Sequence, residues 1–210
     1  MSDNIKLFDC FDLHLLNDDV PSIYFNSILD TEPLMKKYPF SMLYDLSDTP
    51  QSPLHHPEGS VWNHTMLVID LAAQNKSRSI DEKVFMWAAL LHDIGKAPTT
   101  RMQKDKITSY GHDKTGELMS VKFLSEFTDD KIFIKKVSSL VRWHMQTLFV
   151  LKKLPFADIK SMLNQVSLEE ISLLSLCDRL GRGDMTEEKI IKERQDINSF
   201  IDKCSKYNPS

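Results

Sequence analysis

Residues 79–98 read SIDEKVFMWAALLHDIGKAP, and their pattern decides the fold. Ser79 and Glu82 have the spacing of a capping box, in which a serine and a glutamate satisfy each other's orphan amide donors at a helix start. Phe85, Ala88, Ala89 and His92 then recur at three- and four-residue steps, which places them on one face of a helix. Gly95 ends the pattern and Pro98 stands beyond it as a stop. The stripe is apolar until its last member, an imidazole, which a carboxylate, Asp93, follows at once.

The same interruption recurs on both sides. Ser60 caps a helix to about Gln74, with Val61, His64, Val68 and Leu71 or Ala72 on one face. A loop rich in Lys, Arg and Thr leads to Gly111-His112 and a helix to about Phe127. Residues 131–146 align Ile134, Val137, Val141 and His144, and a short helix around Asp158 to Asn164 follows Pro155. A second capping box, Ser167 with Glu170, opens a helix that aligns Ile171, Leu174 and Asp178. The last helix, about 186–204, carries Ile190, Ile197, Ile201 and Cys204. Upstream, Pro21 to Tyr44 predicts two short amphipathic helices separated near Pro33 and Pro39, and residues 47–59 form an irregular stretch with three prolines. Strand signals are nearly absent. The expected fold class is all-α, a helical bundle. It is expected to be one domain over 1–210, with a helical lead-in at 20–59, a core at 60–185 and a C-terminal helix from 186.

Composition narrows the class. In 210 residues, 41% are hydrophobic and 27% charged, the proportions of a globular protein with a core. No run reaches the roughly 18 to 20 apolar residues that span a bilayer, and the start of the chain lacks a secretory signal's order. A cytoplasmic protein without a membrane partner is expected. Cys10, Cys177 and Cys204 are scattered without a CxxC pair, which argues against disulfides and a thiolate zinc site. The net charge of −4 excludes a general nucleic-acid coat, so DNA is not an expected partner.

His64, His92, His144 and Asp178 thus sit on core-facing positions of four helices. One buried histidine is commonplace, but a buried aspartate costs several kcal/mol unless paired or bound to a cation. Convergence of the helices on metal explains all four together. Imidazole and carboxylate donors suit Fe, Mn, Co, Ni or Zn.

In order, HHPEGSVWNHT (55–65), ALLHDIGKAPTT (89–100), SYGHDKTGE (109–117), VRWHM (141–145) and LCDRLGRGD (176–184) resemble the HD domain of bacterial CCA-adding tRNA nucleotidyltransferases, within the HD-domain phosphohydrolase superfamily. VPSIYFNSI (20–28) resembles the segment leading into that domain, so the likeness covers roughly 20–185. The resemblance implies a metal-dependent phosphatase and 2′,3′-cyclic phosphodiesterase. One ion is expected on His64, His92, Asp93 and Asp178, and a second on Asp93, as a bridge, with His112 and His144; members lacking the two additional histidines hold one. A metal-held hydroxide, its pKa brought from 15.7 to roughly 7, is the expected nucleophile. The Gly-Ser turn and paired carboxylates of a nucleotidyltransferase head are missing ahead of this region, so nucleotide addition to tRNA is not expected.

Several flanking residues have two readings. Asp93 and Lys96 are the catalytic candidates; Lys96 donates to a phosphoryl oxygen or is simply a lysine at a helix C-terminus. Arg179 and Arg182 are phosphate clamps or helix-end cations. His56 and Glu58 line the pocket mouth, orient a ligand or only build a turn. His14 and His55 read as surface residues, Trp62, Trp87 and Trp143 as core, and Arg101, Lys104, Lys106 and Lys114 as a solvated loop. The expected substrate is a small phosphoester, a nucleotide or an RNA end. A nucleotidase, a dinucleotide polyphosphate hydrolase, a nucleotide-sensing module and an HD-type di-iron oxygenase are the rivals. The oligomeric state is left open.

Overall fold

A computed structural model describes residues 2–103 and 106–207. It is all-α apart from one small hairpin. The first helix, α1 (Asp3–Asn17), lies ahead of the expected lead-in and buries Leu7, Phe8, Phe11 and Leu15 at helical spacing. The lead-in itself is three short pieces rather than two: α2 (Ser22–Ile28), a 3-10 turn (Pro33–Lys36) and α3 (Ser41–Tyr44). Proline, with its fixed φ, opens the middle one.

Next comes α4 (Val61–Asn75), where the Ser60 hydroxyl accepts the Asn63 amide as expected. Then α5 (Glu82–Leu91) departs from expectation twice. Asp81, not Ser79, caps it by accepting the Val84 amide. And it is not amphipathic: every residue from Val84 to Leu91 is buried, so α5 is the central rod of the bundle. A turn over residues 92–95 leads to α6 (Lys96–Thr99). Lys96 therefore opens a short helix instead of closing a long one.

The basic loop carries an antiparallel pair, β1 (Arg101–Gln103) with β2 (Lys106–Thr108), and Met102 lies opposite Ile107. Lys104 and Asp105, which join them, lie outside the described residues. After it come α7 (His112–Leu124), α8 (Lys131–Trp143), α9 (Gln146–Leu151), α10 (Ile159–Leu163), α11 (Leu168–Leu180) and α12 (Glu187–Ser205). The pattern over 131–146 predicts one helix; the chain instead breaks after Trp143 and restarts at Gln146.

The second capping box is half formed. Ser167 accepts the Glu170 amide, but the Glu170 carboxylate accepts from Ser79 Oγ at 2.8 Å and the Ile80 amide at 2.7 Å. The serine of the first expected box has taken the glutamate of the second, and this clasp ties the start of α11 to the α4–α5 connection.

Aromatic rings fill the space between α1, α5 and α7. Phe8 stacks on Trp87 and Phe127, and Phe40 meets Phe123 edge-on. Trp62, Trp87 and Trp143 are all buried. Close to Asp93 and His112, the turn after α5 touches α7 backbone to backbone. A β-carbon on Gly95 would stand 2.1 Å from the His112 carbonyl oxygen and 2.5 Å from the Gly116 nitrogen. Glycine at both positions lets Asp93 and His112 come together.

Candidate metal centre

Five helices deliver the site. His64 lies in the second turn of α4, His92 is the cap that closes α5, and Asp93 follows it. His112 opens α7 behind Gly111, whose φ of 74° suits glycine. His144 closes α8, and Asp178 lies in the last turn of α11. The four histidines are almost fully buried, as is Asp93; the Asp178 side chain keeps 14% of its exposure and looks into a cleft.

Each histidine is turned the same way. His92 Nδ1 lies 2.8 Å from the Ala89 carbonyl, His112 Nδ1 2.6 Å from that of Ser109, and His144 Nδ1 2.6 Å from that of Val141. His64 Nδ1 has the Gly181 carbonyl at 3.1 Å and Glu58 Oε1 at 3.0 Å. These oxygens only accept, so each Nδ1 carries the proton and donates. Every Nε2 faces inward to Asp93. Asp93 Oδ2 is 3.3 Å from His92 Nε2 and 3.8 Å from His64 Nε2; Oδ1 is 3.5 Å from His112 Nε2 and 3.7 Å from His144 Nε2. His64, His92 and Asp93 offer donor atoms all within 4.8 Å of one another, and so do Asp93, His112 and His144.

Two features fit a bound cation. His92 Nε2 is buried with no hydrogen-bond partner. His112 Nε2 and His144 Nε2 face each other at 3.2 Å, two lone pairs with neither proton to share once both Nδ1 atoms donate. Burial and the neighbouring His112 push the His144 imidazole down to about 4, and burial chiefly lowers that of His112. Both are therefore neutral, the state in which imidazole binds metal. His64 differs: burial lowers its pKa, but the carboxylates of Asp178 (3.0 Å from Nε2) and Glu58 outweigh this and raise it to about 9. Burial alone would raise the Asp93 carboxyl, yet Lys96 and His92 hold it well below the usual range; for Asp178, His64 overcomes the same penalty.

The flanking candidates separate. Lys96 Nζ is 2.6 Å from Asp93 Oδ2 and 2.7 Å from Gln51 Oε1, so it belongs to the cluster; Gln51, in the irregular stretch, has no signal in the sequence. Glu58 is a support for His64: its carboxylate also takes His56 Nδ1 at 2.8 Å and the Gly183 amide at 3.0 Å. Buried among these donors, it is held well below the usual carboxylate range by His56 and His64 against the burial penalty. Arg179 is not a free clamp. Its guanidinium is bonded to Glu193 and, at 2.8 Å, to Asp196 on α12. Arg182 has no carboxylate within 4.0 Å among the described residues and lines the cleft, about 610 Å³, that opens beside His144 and Asp178. His55 is exposed as expected but lines the same cleft, whereas His14 is half-buried, stacked on Tyr24 and paired with Asp18.

No helix among the described residues is long and apolar enough to cross a membrane. The chain is similar to the multifunctional CCA protein of Mannheimia succiniciproducens, at 27% identity over 80% of this chain and 41% of that protein. Its counterpart in Halorhodospira halophila is 32% identical over 66% of this chain and 33% of its own, and that of Actinobacillus pleuropneumoniae serotype 5b 36% over 47% and 23%. The chain thus spans less than half the length of these curated relatives. The profile of the HD domain matches residues 61–196, a span that contains all five helices carrying the candidate ligands. By that match the chain belongs to the HD domain family, within the superfamily of metal-dependent phosphohydrolases.

Proposed function

We propose that the chain is a metal-dependent phosphohydrolase for nucleotide or RNA-end phosphoesters, acting as a phosphomonoesterase, a 2′,3′-cyclic phosphodiesterase or both. The observation that carries this reading is Asp93, whose two oxygens face two different histidine pairs. One carboxylate can then serve two ions. His64, His92, Asp93 and Asp178 would hold one divalent ion, and Asp93, His112 and His144 a second; Mn, Co, Ni, Fe or Zn suits these donors. When bound, such ions supply Lewis acidity at the phosphoryl oxygens and bring the pKa of a coordinated water from 15.7 to roughly 7.

The chain's own residues orient and neutralise. The carbonyls of Ala89, Ser109, Val141 and Gly181 fix the imidazole tautomers. Lys96, anchored by Gln51, gives a cation at the edge of the cluster for a non-bridging phosphoryl oxygen. Arg182 offers a second from the cleft. The likeness of the site motifs to the HD domain of CCA-adding tRNA nucleotidyltransferases supports substrates of the RNA-end type.

The test is a phosphoester panel on protein reconstituted with each metal, with metal content measured alongside. Hydrolysis of 2′,3′-cyclic nucleotides, nucleoside monophosphates or an aryl phosphate is expected, with up to two ions per chain. Asp93→Ala should cut kcat by at least about a thousandfold, roughly 4 kcal/mol of barrier, with unchanged helical circular dichroism. Near-normal turnover by that variant, or dioxygen uptake by the iron form with every ester untouched, would overturn the reading.

A further inference from the structure

The cleft beside the metal centre has a second end. One wall is α9, which leaves directly after His144; from Gln146 to Lys152 it advances about 9 Å. The opposite wall is α12, where Lys192, Asp196, Ser199 and Lys203 line the cleft at steps of four, three and four, one helix face about 16 Å long. His144, Asp178 and Arg182 line the near end, at the metal centre; Lys152, at the end of α9, and Lys203, in the last turn of α12, line the same cleft and lie where their helices lead away from that centre.

The charges along it sort cleanly. Glu193 and Asp196 are both taken by Arg179. Apart from the metal ligand Asp178, the charges left on the lining are Lys152, Arg182, Lys192 and Lys203, and none has a carboxylate within 4.0 Å among the described residues. In a chain of net charge −4, the lining thus carries five cations against three anions, and four of the cations lack a carboxylate partner, an arrangement that draws in anions. Between its ends, Met145, Leu148 and Leu151 give α9 an apolar stripe at three-residue spacing, a surface for a sugar and a base.

We infer that the preferred substrate is a nucleotide with a second phosphate beyond the scissile one, the distal phosphate lying on Lys152 and Lys203. This rests on the hydrolase reading for the near end. In the reaction, water adds to the phosphorus held at the near end, the P–O3′ bond breaks, and O3′ takes a proton from that water. Inorganic phosphate leaves, and the product keeps the distal phosphate. That phosphate can belong to a small nucleoside bisphosphate or to the internucleotide link of an oligonucleotide end.

The test compares kcat/KM of the manganese-reconstituted full chain for adenosine 3′,5′-bisphosphate, a 3′-phosphorylated dinucleotide and adenosine 3′-phosphate. Either ester with a second phosphate should be preferred by about tenfold, the scale of two solvent-screened ion pairs, and the better of the two identifies the source. In K152A/K203A the preference should fall to near unity, while K6A/K36A, with the same charge change outside the cleft, should keep it. Calorimetry on the metal-free protein gives a second readout: adenosine 5′-phosphate should bind more tightly than adenosine, and K152A/K203A should lose the difference. If the monophosphate is turned over equally well, or the preference survives K152A/K203A, the inference is overturned and the hydrolase stands. If no ester reacts with any metal but the lysine-dependent binding is present, the hydrolase reading fails and the distal anion site stands.

Discussion

At the residue scale the site is governed by what stands behind each imidazole. Among the described residues behind the imidazoles, Glu58 is charged, and it sits against His64. His64 is raised to about 9, so below that pH a metal must expel its proton, and metal affinity should climb as pH rises toward 9. Glu58→Gln keeps the size of the side chain but removes the charge. It should weaken metal binding at high pH by about tenfold, the usual effect of losing a supporting carboxylate. It should also move the pH at which affinity levels off downward, because one of the two anions that raise His64 is gone. Competition titrations against a metal chelator between pH 6 and 9 in both proteins would check this, and identical curves would remove Glu58 from the site. Lys96 and Arg179 show how partners decide roles. Both are cations near Asp178 or Asp93 in sequence, yet one joins the cluster and the other is spent fastening α12.

At the scale of elements, the decisive contact is the glycine crossing between the turn after α5 and the start of α7. Gly95→Ala would push a methyl group into the His112 carbonyl, which is backbone and cannot rotate away. A stability loss of about 3 kcal/mol is expected from such overpacking, together with reduced capacity for the second ion, as His112 is displaced. Urea denaturation and metal analysis would measure both; a loss below about 0.5 kcal/mol would mean that the crossing yields easily. The positions of His64, His92, His144 and Asp178 are legible in the sequence because each breaks an apolar stripe long enough to have a period. α9 is not, since six residues make under two turns and its neighbours extend the α8 pattern. The hairpin of three-residue strands carries no alternation to read. The two capping boxes look independent in sequence, and only the packing of α11 on the α4–α5 connection hands Glu170 to Ser79. Lys152 and Lys203 likewise come to line one cleft only because α9 packs on α12.

At the scale of the whole molecule, the ligands divide the helices into two kinds. α4, α7, α8 and α11 each carry one of the proposed ligands and the end of α5 carries two, over a stretch in which His64 and Asp178 are 114 positions apart. α12 supplies none, although it forms a wall of the cleft, and it is fastened chiefly through Arg179, Glu193 and Asp196 together with its buried Ile197, Phe200 and Cys204. On the proposed ligand set, bound ions would act as non-covalent rivets through five helices and would miss α12. An ion at a hundredfold excess over its Kd adds about 2.7 kcal/mol to the folded state, and amide exchange through global opening should slow accordingly in the riveted helices. Exchange in α12 through its own local detachment should not change. Hydrogen–deuterium exchange with and without manganese would test this; equal slowing in α12 would mean that it opens only with the rest. If the difference is found, the cleft has one wall whose motion is independent of the metal centre, and a substrate can enter or leave past α12 without loosening a single ligand.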